Sequence, residues 1–434
     1  MILFFISLTG NVIATGCENL PSESDIEKLT WLFSGATLSH EKTIEGLFIG
    51  PRKEMITPWS TNAVEITQNM GIKGIERIEE LFPAGSPEPV YDRMLQALYR
   101  NPGQDLFSID RLPEKVKYIE DIKAYNEKEG LALSEEEIKY LERLSANIGR
   151  KLTDSEVFGF SQVNSEHCRH KIFNGIFIID GIEKKASLFQ LIKKTTHANP
   201  NRVISAYRDN CAFIEGPSVE QFAPATQDKP DYFVIRTYES VLSLKAETHN
   251  FPTTVEPFNG ASTGTGGEIR DRIAGGKGAF PVAGTAVYMT SYPRPDGPRE
   301  WEKATKERPW LYQTPEEILI KASNGASDFG NKFGQPLICG SLLTFEHFEH
   351  SVKYGFDKVI MLAGGIGLGR KKDCEKGIPE KGDLIILLGG DNYRIGMGGG
   401  AVSSVETGAY DSSIELNAVQ RANPEMQKRV YNAM

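Results

Sequence analysis

The chain has 434 residues, 40% of them hydrophobic and 25% charged, which describes a globular protein able to bury a sizeable interior and excludes a disordered or fibrous one. A formal net charge of −9 offers no basic footprint for a polyanion, so general nucleic-acid binding is set aside. The 5 cysteines are odd in number and scattered, with no CxxC pair, which fits neither a disulfide framework nor a zinc ribbon and leads us to expect a reducing, cytoplasmic home.

At roughly one domain per 150 residues, this length suggests about three units. The apolar opening Met1 to Leu8 lacks a basic leader and is interrupted by Gly10 and Asn11, well short of the roughly 20 residues a membrane span needs. Residues 1–115 read as a small α/β domain. Its predicted elements are strands over Ile2–Leu8 and Gly46–Gly50, a helix opened by a Ser24-x-x-Glu27 capping box through Trp31 and Phe33, and a second helix from Thr61 to Gly71. Asn101-Pro102-Gly103 is a turn signal.

Residues 116–171 turn helical and charged, with capping boxes at Ser134-x-x-Glu137 and Thr153-x-x-Glu156, and read as a helical linker. A mixed-sheet domain over 172–370 is expected from short β-rich runs at Ile176–Ile179, Tyr232–Arg236 and Val241–Thr248. Ser291–Pro315 reads as a surface excursion, and Thr314-Pro315-Glu316-Glu317 as a helix start. Residues 371–434 read as the opening of a further, truncated domain, with a buried strand at Leu384–Leu388 and a final helix, Pro424 to Met434, that stops without a capping residue.

Three clusters carry possible chemistry. On the strand ending at Lys245-Ala246-Glu247-Thr248-His249, alternation puts Val241, Ser243, Lys245, Glu247 and His249 on one side, and Leu242, Leu244 and Ala246 on the other, expected to be the core side. An ammonium, a carboxylate and an imidazole in a row suit phosphate, Mg2+ and proton transfer, and equally an ordinary exposed face of mixed charge. The run Gly260-Ala261-Ser262-Thr263-Gly264-Thr265-Gly266-Gly267-Glu268-Ile269-Arg270-Asp271 reads as a loop of small residues whose amides can approach phosphate oxygens, or as a flexible turn; it is neither a Walker A motif nor a dinucleotide fingerprint. Asn164-Ser165-Glu166-His167-Cys168-Arg169-His170-Lys171 offers either a cationic cap for phosphates or a solvated basic helix end, and zinc is disfavoured because no third ligand is near.

The order of these three clusters resembles the signature of the phosphoribosylformylglycinamidine synthases. Gly50-Pro51-Arg52-Lys53-Glu54-Met55-Ile56-Thr57-Pro58-Trp59-Ser60-Thr61-Asn62-Ala63 looks like the N-terminal domain of their large, single-chain form, and Ala322–Gly334 and Asn417–Lys428 also resemble that family. The resemblance implies an α/β (α+β) architecture: a small N-terminal domain, a helical linker, and a mixed-sheet domain like aminoimidazole ribonucleotide synthetase, followed by the truncated domain. It also implies ATP-dependent conversion of formylglycinamide ribonucleotide to the amidine, with ammonia from a glutaminase domain and a second synthetase half, both absent from this chain.

Carried over by motif, Glu247 and Asp271 bind Mg2+, Lys245 and His170 contact ATP, and the segment Gly260, Ala261, Ser262, Thr263, Gly264, Thr265, Gly266, Gly267 and Glu268 approaches the nucleotide. His249 is implied as general base, assisted by His167, with Thr248, Asn250, Phe251, Arg270 and Gln420 lining the substrate site. His170 departs from the small-form relatives, which carry a tyrosine there. No nucleophilic-cysteine elbow of a glutaminase is present, and the second synthetase half is expected to complete the nucleotide site, so this chain alone is expected not to turn over. The alternative is a non-catalytic nucleotide-binding or assembly module for a glutaminase. Neither nucleic acid nor membrane is an expected partner.

Overall fold

A computed structural model describes residues 1–53, 56–91, 96–109, 115–131, 133–164, 170–226, 228–297, 299–302, 313–388, 415 and 418–434, without the side chains of Pro58, Thr61, His170 and Trp301. They form two compact units, one spanning Met1–Lys115 and one beginning at Val116 and including the C-terminal residues.

In the first unit, strands β1 (Ile2–Ile6), β2 (Val12–Cys17), β3 (Thr37–Ser39), β4 (Leu47–Pro51), β5 (Ile75–Pro83) and β6 (Gln96–Arg100) form one sheet in the order β3-β1-β2-β5-β4-β6. Helices α1 (Glu23–Leu32) and α2 (Pro58–Asn69) complete it. Alternation along β1 and β2 divides the interior into two cores: Phe5 and Ile13 pack with Leu29 and Ala63, whereas Phe4, Val12 and Ala14 pack with Phe48 and Leu106. The cap of α1 is Ser22, whose side chain accepts from Asp25 N, so Ser24 lies inside the first turn rather than before it. Buried Glu79 accepts from Thr57 N at 3.0 Å and Thr57 Oγ1 at 2.7 Å, and from Arg77 Nε at 3.1 Å, which ties the start of α2 to β5. Desolvation raises the Glu79 carboxyl above its ordinary range despite these donors.

The second unit opens with α3 (Ile122–Glu129), α4 (Glu135–Ile148), α5 (Asp154–Val163) and α6 (His170–Asn174). The capping boxes at Ser134/Glu137 and Thr153/Glu156 are both formed, and Ile138, Leu141 and Val157 join one buried cluster. After β7 (Ile178–Ile179), β8 (Ile182–Glu183) and α7 (Leu188–Ala198) come β9 (Val203–Ser205), β10 (Ala212–Pro224), β11 (Phe233–Thr248), α8 (Asn250–Val255) and α9 (Pro257–Ile273). The remaining elements are β12 (Phe280–Thr290), α10 (Pro315–Phe333), β13 (Leu337–Thr344), the β14 (Glu346–Glu349) and β15 (Val352–Gly355) hairpin, β16 (Ile360–Arg370) and α11 (Pro424–Ala433). The larger sheet has the order β13-β12-β16-β11-β10-β9, with β12 and β13 parallel and its other pairs antiparallel. Helix α9 lies against β11, β12 and β16, and α10 packs along α9.

Three expectations are corrected. The glycine-rich segment is the body of α9, a helix rather than a loop. Glycine in a helix costs roughly 1 kcal/mol relative to alanine, but here Gly264 and Gly266 allow close packing: a Cβ at 264 would stand 2.9 Å from His249 Cβ, and one at 266 would stand 2.6 Å from Phe329 Cζ. Tertiary contact therefore overrides local propensity. Secondly, the odd face of β11 turns toward the helices: Val241 and Ser243 are buried, while Ala246 and Thr248 on the even face are exposed. Thirdly, Leu384–Leu388 is exposed and forms no strand, and among the described residues no strand pairs with it. An apolar run needs a hydrogen-bonding neighbour to become a buried strand.

Candidate functional site

The site arises from the register between one strand and one helix. Lys245 and Glu247 on β11, and His249 just past its end, recur every second residue on the side covered by α9. Along α9, Gly264, Gly267 and Asp271 recur at helical spacing, and the two series meet in opposite order. The Cβ position of Gly264 lies beside His249, and that of Gly267 lies 3.6 Å from Glu247 Cγ. At the last turn of α9, Lys245 Nζ stands 2.7 Å from Asp271 Oδ2 and 3.3 Å from Glu247 Oε2.

Three of the expected residues are thus brought into one cluster. Its charged groups are half-buried, with side-chain exposures of 17% for Lys245, 24% for Asp271 and 30% for Glu247. Burial works against the Lys245 ammonium, but the hydrogen bond to Asp271 and the two carboxylate charges outweigh it and hold its pKa above the ordinary lysine value. Thr248 N donates to Glu247 Oε1 at 3.1 Å, fixing that carboxylate from the backbone.

His249 caps the short α8, and its Nδ1 meets Gly260 O in α9. A carbonyl oxygen only accepts, so Nδ1 carries the proton of this contact. His249 N also donates to Met361 O at 3.0 Å, which locks the turn between β11 and α8 onto β16.

The remaining expected residues divide. Arg270 Nη1 donates to Gln427 Oε1 at 3.0 Å and Nη2 to Thr263 O at 3.4 Å, while Thr263 Oγ1 donates to Gln420 O at 3.1 Å. Arg270, Gln420 and Thr263 therefore form a second polar group. Asn250 Oδ1 instead accepts from Met361 N at 3.1 Å, and Phe251 is a core residue packed with Val255 and Val419. Thr248 lies exposed on the opposite face of β11 from Glu247. His167 lies outside the described residues, as does the side chain of His170, whose backbone opens α6.

Gly260, Ala261, Ser262, Thr263, Gly264, Thr265, Gly266, Gly267 and Glu268 are all within α9, so their backbone amides are committed to the helix instead of forming a phosphate-binding loop. Glu268 belongs to a polar core that the sequence reading missed. Arg272 Nε donates to Glu268 Oε2 at 2.8 Å and Nη1 to Ile366 O at 2.8 Å, and Gln335 contacts both charged partners. All three side-chain residues are 0% exposed, so the last turn of α9 is pinned to β16 by a fully buried network. Burial raises the Glu268 carboxyl above its ordinary range, with Arg272 and Gln335 opposing. The four-residue spacing of Glu268 and Arg272 becomes a signal once the segment is read as a helix.

Family models for the formylglycinamide ribonucleotide amidotransferase N-terminal region and linker domain match residues 12–83 and 122–171. A probable phosphoribosylformylglycinamidine synthase, chloroplastic/mitochondrial, of Arabidopsis thaliana is 37% identical over 448 residues, covering 96% of this chain and 31% of that protein. Over nearly its whole length the chain is similar to the phosphoribosylformylglycinamidine synthases.

The phosphoribosylformylglycinamidine synthase of Drosophila melanogaster is likewise 37% identical, covering 93% of this chain and 33% of its own length. The chain thus spans about a third of the curated relatives it matches. Among solved structures, T. maritima PurL complexed with FGAR overlaps with a TM-score of 0.38 at 21% identity, covering 68% of this chain and 36% of that one, too loose a likeness to bear on ligands. No helix among the described residues is long and apolar enough to cross a membrane.

Proposed function

We propose that this chain supplies the N-terminal domain, the linker and part of one synthetase half of an enzyme that converts formylglycinamide ribonucleotide to its amidine. ATP and ammonia released from glutamine are the co-substrates. Within this reading, residues 172–370 form the synthetase domain and the even face of β11, exposed at Ala246 and Thr248, accepts the second half. The observation that carries the proposal is the Lys245 ammonium held between the carboxylates of Glu247 and Asp271. The cytoplasmic placement is part of the same proposal; the Arabidopsis relative is named as an organellar form.

The donor set fits Mg2+. Two carboxylates of hard oxygen face a place where the fold already seats a positive charge, and Mg2+ characteristically takes one or two protein carboxylates and completes its shell with phosphates and water. Glu247 and Asp271 are the residues that would hold it. Bound Mg·ATP supplies a phosphoryl group that turns the amide oxygen into a leaving group. Lys245 neutralises phosphate charge, and Arg270 with Gln420 orients the anionic substrate. His249, its tautomer set by Gly260, takes a proton at Nε2 from the attacking ammonia. His167 and His170 stay in the proposal as linker contributions to the same site.

The test is amidine formation by the intact synthase with ammonium, ATP and Mg2+. Glu247→Gln is expected to abolish it while glutamine hydrolysis survives. Amidine synthesis unaffected by this change would support the non-catalytic alternative.

A further inference from the structure

We propose that Gln427 is a specificity-determining residue of the anion subsite built on Arg270, its amide oxygen fixing the guanidinium and its amide nitrogen donating to an oxygen of the substrate's phosphate monoester. The inference rests on the assignment of Arg270 to substrate made above.

The orientation of the Gln427 amide is fixed by chemistry. A guanidinium only donates, so the atom 3.0 Å from Arg270 Nη1 is the oxygen, and Nε2 points away from it. That nitrogen is closed off from solvent and has no acceptor among the described residues. Leaving such a donor unsatisfied is unfavourable, a cost that an arriving acceptor removes. Phosphate oxygens are acceptors and match both donors at once: a planar guanidinium from α9 and an amide from α11.

Location supports the same ligand. Gly266 leaves room for the guanidinium, since a Cβ there would stand 2.8 Å from Arg270 Nη1. The Cβ position of Gly267 is 3.6 Å from Arg270 Nη2 and also 3.6 Å from Glu247 Cγ, which places the Arg270 fork next to the acidic cluster. An anion bound at Arg270 and Gln427 is therefore held beside the groups assigned to Mg2+ and ATP. Gln427 lies on α11, seven residues beyond Gln420, so one C-terminal segment brings both glutamines to the same side of α9.

The experiment is steady-state kinetics of the intact synthase with ammonium as nitrogen donor, varying formylglycinamide ribonucleotide and ATP separately. Gln427→Leu is expected to raise the KM for the ribonucleotide about 10-fold, with kcat and the KM for ATP unchanged. Gln427→Glu, whose carboxylate pairs with Arg270 and repels phosphate, is expected to raise it about 100-fold. Unchanged KM values in both variants would overturn the proposal. So would kcat and both KM values moving together, the pattern of a structural role, or a shift in the KM for ATP alone, which would assign the donor to the nucleotide. Arg270→Ala separates the two levels: if it leaves the ribonucleotide KM unchanged, the Arg270 assignment fails, whereas a raised KM there with silent Gln427 variants defeats the inference alone.

Discussion

Replacing Lys245 by methionine keeps much of the side-chain volume and removes the ammonium that separates two carboxylates. At 2.7 Å and an effective dielectric of 20, the attraction to Asp271 alone is about 6 kcal/mol, most of it offset by the desolvation of the charges. Breaking a buried pair from one side costs about 3–5 kcal/mol. The 17–30% exposures of the three side chains admit solvent and bring the expected loss to about 2–3 kcal/mol. For a unit of this size that lowers the melting temperature by about 3–5 °C. Calorimetry of the 434-residue chain in metal-free buffer reads this directly. Millimolar Mg2+ should recover most of the loss in Lys245→Met, because a divalent cation neutralises the same two carboxylates. A melting temperature unchanged by Lys245→Met, or a loss that Mg2+ leaves intact, would refute the reasoning.

Other consequences follow from the same contacts. Gly264→Ala exchanges a poor helix former for the best one, a gain of about 1 kcal/mol, yet its Cβ would stand 2.7 Å from Met361 Sδ, so a net loss of about 1–2 kcal/mol is expected in denaturant titrations; a more stable variant would contradict the close packing of α9. His249→Asn in the intact synthase is expected to lower kcat by about 10²–10⁴ while calorimetric ATP affinity stays the same; a lost affinity with unchanged kcat would deny the base role. In the linker, Arg150 and the Thr153 backbone hold the Glu156 carboxyl down at about 2, against an ordinary 4.5. Because the folded pKa is depressed, its contribution is present above about pH 4.5 and lost as pH falls toward about 2. Amide exchange at the first turn of α5 should follow that window, and Glu156→Gln should flatten it.

Capping chemistry was the most legible part of this chain. Ser134/Glu137, Thr153/Glu156 and Thr314/Glu317 each open a helix as expected, because both halves of the reciprocal cap are local in sequence. Alternation correctly grouped Lys245, Glu247 and His249 on one face, but it could not say which face the helices would cover. The apolar residues Leu242 and Leu244 suggested the wrong one, and Ser243 and Val241 are the buried pair. The misreading of α9 has a related cause. Gly260, Gly264 and Gly266 disfavour a helix locally, and the close neighbours they admit, Pro252, Met361, His249 and Phe329, justify one. Long-range partners such as Gln335 for Glu268 and Gln427 for Arg270 leave no local trace at all. The Leu384–Leu388 run shows the reverse limit: local propensity for a strand is complete there, and no pairing partner among the described residues realises it.

The central claim is that β11 and α9 together build the metal–phosphate cradle. Its most direct test is a crystal structure of the intact synthase with Mn2+ and a non-hydrolysable ATP analogue, with the metal located by anomalous scattering. A manganese peak within coordination distance of both Glu247 and Asp271, with Lys245 turned to a phosphate oxygen, is the predicted result. A fully occupied nucleotide whose metal lies elsewhere, with Lys245 still bridging the two carboxylates, would contradict it.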